Sequence, residues 1–103
     1  MIYANPGSEG SIFSFKAKYD NYIGGEWVAP VKGEYFTNTT SVDGSDICQI
    51  ARSTAEDIEL ALDAAHAARD AWGRTSVTER SNMLLKIADR IEANLEILAV
   101  AET

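Results

Sequence analysis

The chain has 103 residues, of which 16 are Asp or Glu and 9 are Lys or Arg, so its net charge is −7. This acidity argues against nucleic acid and anionic membranes as partners, because their phosphate groups would be repelled. The hydrophobic fraction of 46%, with no run of about 18 apolar residues and no basic leader, is typical of a soluble globular domain or part of one and predicts a cytoplasmic location.

The first predicted element is an extended N-terminal arm over residues 1–18. The turn-forming runs Asn5-Pro6-Gly7-Ser8 and Gly10-Ser11 lie within it and disfavour regular structure. Residues 19–103 are therefore expected to hold the strands and helices.

The stretch Tyr22-Ile23-Gly24-Gly25-Glu26-Trp27-Val28 predicts a tight β-hairpin. Its two glycines lie between short apolar runs and suit a two-residue turn, which requires positive φ. Tyr22 and Trp27 should then face each other across the two strands. Pro30 should end the second strand, because it lacks a backbone N–H.

A second hairpin is predicted from Tyr35 to Ser41 and from Ile47 to Ala51, with the turn residues Asp43-Gly44-Ser45-Asp46 at its tip. Cys48 lies in the second arm of this hairpin, which indicates a largely buried strand. A lone cysteine also excludes an internal disulfide.

Beyond Ser53 the spacing of the apolar residues changes from two to 3.6, which predicts amphipathic helices. Thr54 is expected to cap the first helix through its hydroxyl, which would accept a hydrogen bond from the N–H of Asp57. Gly73 should end this helix.

The spacing of Ser76 and Glu79 fits a capping box and predicts the start of a second helix. Its apolar stripe passes through Asn94, where either one long helix continues or a new one begins; the low helix propensity of Asn favours a break.

No helix-ending signal precedes Thr103, which predicts that the natural polypeptide continues. One side of each helix should be buried, formed by Ile58, Ala61, Leu62, Ala65, Ala68, Trp72, Leu84, Ile87, Ala88, Ile91, Leu95 and Leu98.

Candidate catalytic side chains are few. Cys48 fits a small buried hydrophobe better than a nucleophile, because no basic residue is adjacent to it. His66 fits a solvated or helix-packing role better than an acid–base role. The sequence has no glycine-rich phosphate loop, no HExxH motif and no Cys or His pair at metal-ligand spacing, so no catalytic, cofactor-binding or metal-binding residue is predicted in it.

Two further groups of residues have structural interpretations. Trp27 and Trp72 fit core or interface anchors better than binding platforms. Glu56, Asp57 and Glu59 form an acidic helix start, interpreted as a capped and solvated terminus that the helix dipole favours.

The order and spacing of these motifs resemble the start of an aldehyde dehydrogenase. The resemblance covers about Tyr19 to Thr103, so residues 19–103 are interpreted as the N-terminal part of the NAD(P)-binding domain of such an enzyme. The runs that carry it are Tyr22-Ile23-Gly24-Gly25-Glu26-Trp27, Ser53-Thr54-Ala55-Glu56-Asp57-Ile58, Ala71-Trp72, Glu79-Arg80, Leu84-Leu85-Lys86-Ile87-Ala88-Asp89-Arg90-Ile91-Glu92 and Leu98-Ala99-Val100-Ala101-Glu102-Thr103.

The resemblance implies an α/β enzyme with a Rossmann-type cofactor domain, of which this chain would hold two β-hairpins followed by two or three amphipathic helices. It also implies a homo-oligomer, dimeric or tetrameric, that uses NAD or NADP to oxidise an aldehyde. The sequence of these runs is most similar to that of bacterial enzymes acting on small aliphatic aldehydes such as acetaldehyde.

In that family a cysteine thiolate attacks the aldehyde, hydride passes to the nicotinamide, and water activated by a glutamate hydrolyses the thioester. The cysteine, the glutamate, the oxyanion-stabilising asparagine and the cofactor-contacting glycine loop all lie downstream of the matched residues. The chain alone is therefore expected to be inactive and to bind no cofactor.

The sequence departs from the family at one strand end and leaves one alternative. Family members often have Pro where Thr39 follows Asn38, at a strand end that in some members lends carbonyls to a monovalent cation; binding of such a cation near Phe36-Thr37 is left open.

The alternative is a small non-catalytic helical interaction module, and exposed helix faces would also permit self-association. An open reading frame beyond Thr103 favours the enzyme, whereas a stop codon favours the module.

Overall fold

The computed structural model describes residues 3–103, which belong to two compact units. One unit comprises residues 16–73 and contains the strands and the first helix. The other unit combines residues 74–103, which contain the remaining two helices, with the arm up to Phe15. Residues 1 and 2 of the predicted arm lie outside the described residues.

Local turns shape the arm. The N–H and the hydroxyl of Ser8 both donate to the carbonyl of Asn5, at 3.1 and 2.6 Å, and the N–H of Gly7 donates to the carbonyl of Phe13 at 3.0 Å. The rings of Phe13 and Phe15 meet edge to face with centroids 4.8 Å apart. The turn-forming residues thus bring the segment that was expected to be extended back on itself.

Residues 3–103 contain five short strands, which form two sheets. They are β1 (Lys18–Tyr19), β2 (Asn21–Ile23), β3 (Glu26–Val28), β4 (Tyr35–Thr39) and β5 (Asp46–Ala51). Strands β2 and β3 pair only with each other, while the other three strands lie in the order β1-β5-β4.

The first predicted hairpin is confirmed. Tyr22 lies opposite Trp27 in the antiparallel β2–β3 pair, and their rings are 5.0 Å apart. Gly24 and Gly25 form the turn with φ angles of 62° and 83°, a conformation that a side chain with a Cβ would resist. The turn lies beside the first helix, since a Cβ added to Gly24 would be 4.0 Å from the Cβ of Ala64.

The second predicted hairpin is also confirmed, although β4 ends at Thr39 rather than Ser41 and β5 begins at Asp46 rather than Ile47. Strands β4 and β5 pair antiparallel, with an irregularity in register between Asn38 and Thr39. The parallel pairing of β1 with β5, in which Lys18 lies opposite Gln49, was not predicted. A two-residue strand has no periodicity of its own, and its partner is distant in the chain, so nothing local signals the pairing.

Helix α1 (Ala55–Gly73) spans the predicted residues, but its first turn is capped differently. The N–H of Asp57 donates to the backbone carbonyl of Thr54 at 3.1 Å, and the Asp57 carboxylate accepts the N–H of Thr54 at 2.8 Å. The predicted bond to the Thr54 hydroxyl was therefore wrong. The Thr54 carbonyl accepts the Asp57 N–H in place of the hydroxyl, and the hydroxyl instead lies 3.4 Å from Oδ2 of Asp57, as a donor to it.

Helix α2 (Val77–Ala93) begins with the predicted capping box. The N–H of Glu79 donates to Oγ of Ser76 at 3.1 Å, and the N–H of Ser76 donates to Oε2 of Glu79 at 3.4 Å. These two bonds satisfy backbone donors that would otherwise have no partner inside the helix.

The predicted break at Asn94 is confirmed, because helix α3 (Leu95–Glu102) begins directly after it. Asn94 has φ −117° and ψ 24° and makes no side-chain capping bond to α3. Its Nδ2 instead donates to the carbonyl of Arg90 at 2.8 Å, so the side chain closes α2. Asn94 therefore ends one helix rather than capping the next.

Little of the described chain is buried. The buried residues among those described are Pro30, Cys48, which is 9% exposed, and Asp57, which is 3% exposed. The predicted burial of one side of each helix was wrong for the large apolar residues: Ile58 on α1 is 56% exposed, Leu84 on α2 is 68% exposed and Leu95 on α3 is 63% exposed. The amphipathic pattern predicted the helices correctly, but burial also requires a covering surface, which these side chains lack among the described residues.

Candidate functional site

Cys48 is held in an interior position of the sheet. It lies in β5 directly opposite Asn38 of β4, and its thiol is free of any disulfide. His66 lies on an exposed part of α1, and no hydrogen bond joins it to Cys48 in the described part of the chain. Nucleophilic catalysis requires a nucleophile and a base within hydrogen-bonding distance of each other. The structure does not bring Cys48 and His66 together in this way.

The indole of Trp27 belongs to an exposed aromatic cluster. Its side chain is 58% exposed and stacks at a tilt of 58° on Tyr22, and Nζ of Lys16 lies 5.4 Å from its ring centroid. The same Nζ is 5.9 Å from the ring of Tyr19. Trp72, on α1, is also about half exposed. Neither tryptophan is a core residue of the described chain.

The acidic start of α1 is not uniformly solvated, which corrects the sequence interpretation. Glu56 and Glu59 are exposed, but Asp57 is only 3% exposed. Its Oδ1 accepts the N–H of Val31 at 2.9 Å, and its Oδ2 accepts the N–H of Thr54 at 2.8 Å. The hydrogen bonds from Thr54 and then from Val31 hold the pKa of Asp57 below its usual value, against the opposing effect of burial.

A second polar cluster joins β4 to Lys18 of β1 and to Asp20, the residue that follows β1. The hydroxyl of Tyr35 donates to Oδ1 of Asp20, and Nζ of Lys18 lies 3.8 Å from the centroid of the Tyr35 ring. The hydrogen bond to Asp20 raises the pKa of Tyr35, and burial and the charge of Asp20 raise it further. This cluster stabilises the neutral phenol, so it does not produce a phenolate base.

An open cleft of about 650 Å³ separates the β2–β3 turn from α1. Small side chains dominate its walls, and it offers no acid, base or nucleophile apart from the phenol of Tyr22. Its lining includes Ile23, Gly24, Gly25, Ala61, Ala64, Ala65, Ala67 and Ala68. Nothing in these walls supplies catalytic chemistry.

Within residues 3–103, no three or more His, Cys, Asp or Glu side chains are grouped so that they could hold a metal ion. In the same range no helix combines the length and the apolar character needed to cross a membrane.

The N-termini of the two long helices do not suit the phosphates of a dinucleotide. A helix N-terminus attracts phosphate through its free N–H groups and its dipole. At α1 the carboxylate of Asp57 already accepts the Thr54 N–H, and at α2 Ser76 and Glu79 accept from each other's backbone. Both positions carry negative charge, so these residues do not fit a pyrophosphate.

Comparison with known proteins identifies the relatives of this chain. The sequence profile described as "Aldehyde dehydrogenase family" matches residues 27–103. An aldehyde dehydrogenase of Deinococcus radiodurans is 72% identical over 101 residues, and an acetaldehyde dehydrogenase of Pseudomonas aeruginosa is 71% identical over 103 residues. These alignments cover 98% and 100% of this chain but 20% of each relative, so the chain spans about a fifth of their length.

A solved structure gives the same result for the fold. The crystal structure of an NAD-dependent aldehyde dehydrogenase from Sinorhizobium meliloti superposes with a TM-score of 0.76 at 30% sequence identity, covering 95% of this chain and 20% of that one. The predicted fold class, strands followed by amphipathic helices as part of an α/β enzyme, is thereby confirmed. On the profile match and the two close relatives together, the chain belongs to the aldehyde dehydrogenase family.

Proposed function

We propose that this chain is the N-terminal, non-catalytic part of the cofactor-binding domain of an NAD(P)-dependent aldehyde dehydrogenase that oxidises an aldehyde to a carboxylic acid. The observation that carries the proposal is the near-complete alignment of the chain with a fifth of each relative. The other four fifths are available to supply the reacting groups. We assign no catalytic, cofactor-binding or metal-binding residue to residues 1–103.

The exposed side of α2 supports a scaffold role. Leu84, Ile87 and Ile91 recur at helical spacing, and each is more than half exposed. A stripe of this kind on a soluble protein usually faces another polypeptide surface. Its expected partner is the rest of the same enzyme, whose sheet these helices would cover.

The finer assignments follow the relatives. We propose NAD as the cofactor, because the superposed Sinorhizobium meliloti enzyme is NAD-dependent, and acetaldehyde as the first aldehyde to test, because the Pseudomonas aeruginosa relative is an acetaldehyde dehydrogenase. We further propose that the enzyme is a homo-oligomer and that it is located in the cytoplasm. Use of NADP and of other aldehydes are outcomes that the assay below separates, and binding of a cation near Phe36-Thr37 stays an open prediction.

A chimaera tests the proposal. In it this chain replaces the 103 aligned residues of the Pseudomonas aeruginosa acetaldehyde dehydrogenase, and the remainder of that enzyme is kept. Reduction of NAD or NADP is followed by absorbance with acetaldehyde and with a longer aliphatic aldehyde. We expect acetaldehyde-dependent reduction within about tenfold of the unmodified relative, because a substituted scaffold leaves the reacting groups in place.

The chain on its own is the matched control. It should give no aldehyde-dependent reduction of either cofactor, since it brings no nucleophile and base together. Turnover by the pure 103-residue chain would refute its non-catalytic role. A chimaera that is soluble, folded and of the relative's oligomeric size, yet inactive, would refute its role as an interchangeable part of this enzyme.

Sedimentation equilibrium of the isolated chain addresses its exposed helix faces. If the rest of the enzyme normally covers these apolar faces, the isolated chain should self-associate in a concentration-dependent way. The chimaera should not self-associate beyond the oligomeric state of the unmodified relative. A monodisperse monomer at all concentrations would favour the self-contained interaction module.

A further inference from the structure

The loop between β3 and β4, residues 29–34, is tied to α1 at a single point in its middle. Its ends are held by the sheets: Val28 belongs to β3, and the carbonyl of Glu34 accepts the N–H of Arg52 at 2.8 Å. Within the loop the N–H of Gly33 donates to the carbonyl of Pro30 at 2.8 Å, which closes a local turn. The bond from the N–H of Val31 to Oδ1 of Asp57 is what joins this turn to the helix.

The same carboxylate also organises the first turn of α1. Its Oδ2 accepts from the N–H of Thr54 at 2.8 Å and lies 3.4 Å from the Thr54 hydroxyl. One oxygen of Asp57 therefore serves the loop and the other serves the helix, although Val31 and Asp57 are 26 residues apart.

Burial makes these two bonds interdependent. Asp57 is 3% exposed, so a carboxylate oxygen that loses its donor cannot be hydrated where it lies. An unpaired buried charge costs far more than an exchanged hydrogen bond. Water can reach Oδ1 only if the surrounding loop or the helix start moves, and both motions disturb the remaining partner.

We propose that Asp57, Val31 and Thr54 form a latch, the Asp57 latch, through which loop 29–34 and the first turn of α1 open as one event. Asp57 is a positioning residue in this device and touches no reacting group. The latch depends on the contacts of residues 29–57 alone and not on the reaction proposed above.

Amide hydrogen exchange of the ¹⁵N-labelled chain, with Asp57→Asn as the variant, tests the latch. An amide has one acceptor oxygen and one NH₂ group, so it can keep one of the two N–H donors but must lose the other. With the latch, exchange at both Val31 and Thr54 should accelerate by about tenfold or more, because the two segments open together. Acceleration at only one of these amides would overturn the proposal.

Asp43→Asn is the matched control. Asp43 also accepts two hydrogen bonds, from the N–H and the hydroxyl of Ser45 at 3.0 and 2.6 Å, but these join residues two apart in the chain. This variant should leave exchange at Val31 and Thr54 unchanged. Equal acceleration in both variants, or uniform acceleration at every amide in Asp57→Asn, would overturn a local latch.

Limited trypsin digestion of the chimaera provides a readout that does not need the isolated chain to fold. Lys32 is exposed within loop 29–34, so cleavage after it reports loop opening. In Asp57→Asn, cleavage after Lys32 should rise severalfold relative to cleavage after Lys16, which lies outside the loop. An unchanged ratio would contradict the latch.

Discussion

The hydroxyl of Tyr35 donates a hydrogen bond to Oδ1 of Asp20 and so links the first residue of β4 to the residue that separates β1 from β2. Lys18 covers the same ring, with its Nζ 3.8 Å from the centroid. Strands β1 and β4, which each pair with β5 and not with each other, are therefore also joined by side chains at this point.

Tyr35→Phe should lower the thermal midpoint by about 5 °C, because it removes the donor and leaves the Asp20 carboxylate without this partner. Thermal unfolding followed by far-UV circular dichroism measures the change. Tyr22→Phe is the control, since the Tyr22 side chain is 64% exposed and its contact with Trp27 is made by the ring. A control shift as large as that of Tyr35→Phe would show that the bond to Asp20 is not responsible.

The stability of the wild-type chain should fall at alkaline pH more steeply than that of Tyr35→Phe. The pKa of Tyr35 is raised above its ordinary value of 10.0 by Asp20, so the folded state retains its proton longer than the unfolded state. This contribution is fully present below pH 10 and is lost as the pH rises through the folded pKa. Urea unfolding at a series of alkaline pH values should show that the free energies of unfolding of the two proteins converge as the pH rises. A difference in free energy that stays constant with pH would contradict the role given to the Tyr35 hydroxyl.

The stability difference between the wild-type chain and Asp57→Asn should shrink in acid. The pKa of Asp57 is lowered from 3.8 by bonds from Thr54 and Val31, so its contribution is present above pH 3.8 and is lost as the pH falls through the folded pKa. Thermal midpoints at pH 7 and at successively lower pH values measure this. A difference that stays constant through the acid range would mean that the two carboxylate bonds do not depend on charge.

Cys48→Ala should destabilise the chain by about 1 kcal/mol, because it removes a buried side chain from β5, and should leave the rate of the chimaera within a few-fold. The thiol should react slowly with a disulfide reagent in the native state and rapidly in denaturant. A loss of several orders of magnitude in rate would show that Cys48 takes part in catalysis, contrary to its buried position opposite Asn38.

Ser76→Ala should destabilise the second unit by about 1 kcal/mol, because it removes the acceptor of the Glu79 N–H at the start of α2. Ser81→Ala is the matched control, since Ser81 lies inside the same helix, where Ala has the higher propensity. The helical signal should melt earlier in Ser76→Ala and no earlier in Ser81→Ala. Equal effects would indicate that the capping box is not what stabilises this terminus.

Some predictions succeeded because their physical cause lies within a few residues. The positive φ angles of Gly24 and Gly25, the capping box of Ser76 and Glu79, and the break at Asn94 all depend on local backbone geometry. The break did not predict which way the Asn94 side chain bonds, because an Asn side chain can satisfy a carbonyl behind it as readily as an N–H ahead of it.

Local patterns were enough to place the turns of the hairpins, the starts of α1 and α2, the end of α1 and the break at Asn94, since each of these depends on neighbouring residues. Tertiary structure alone decided that Lys18 pairs with Gln49 and that Asp57, one of several acidic residues at a helix start, is the buried one. The donor that distinguishes Asp57 from Glu56 is the N–H of Val31, which is 26 residues away in the chain and lies near α1 only in the folded structure. Local patterns cannot encode a contact between segments that distant, so the Asp57 latch became visible only in three dimensions.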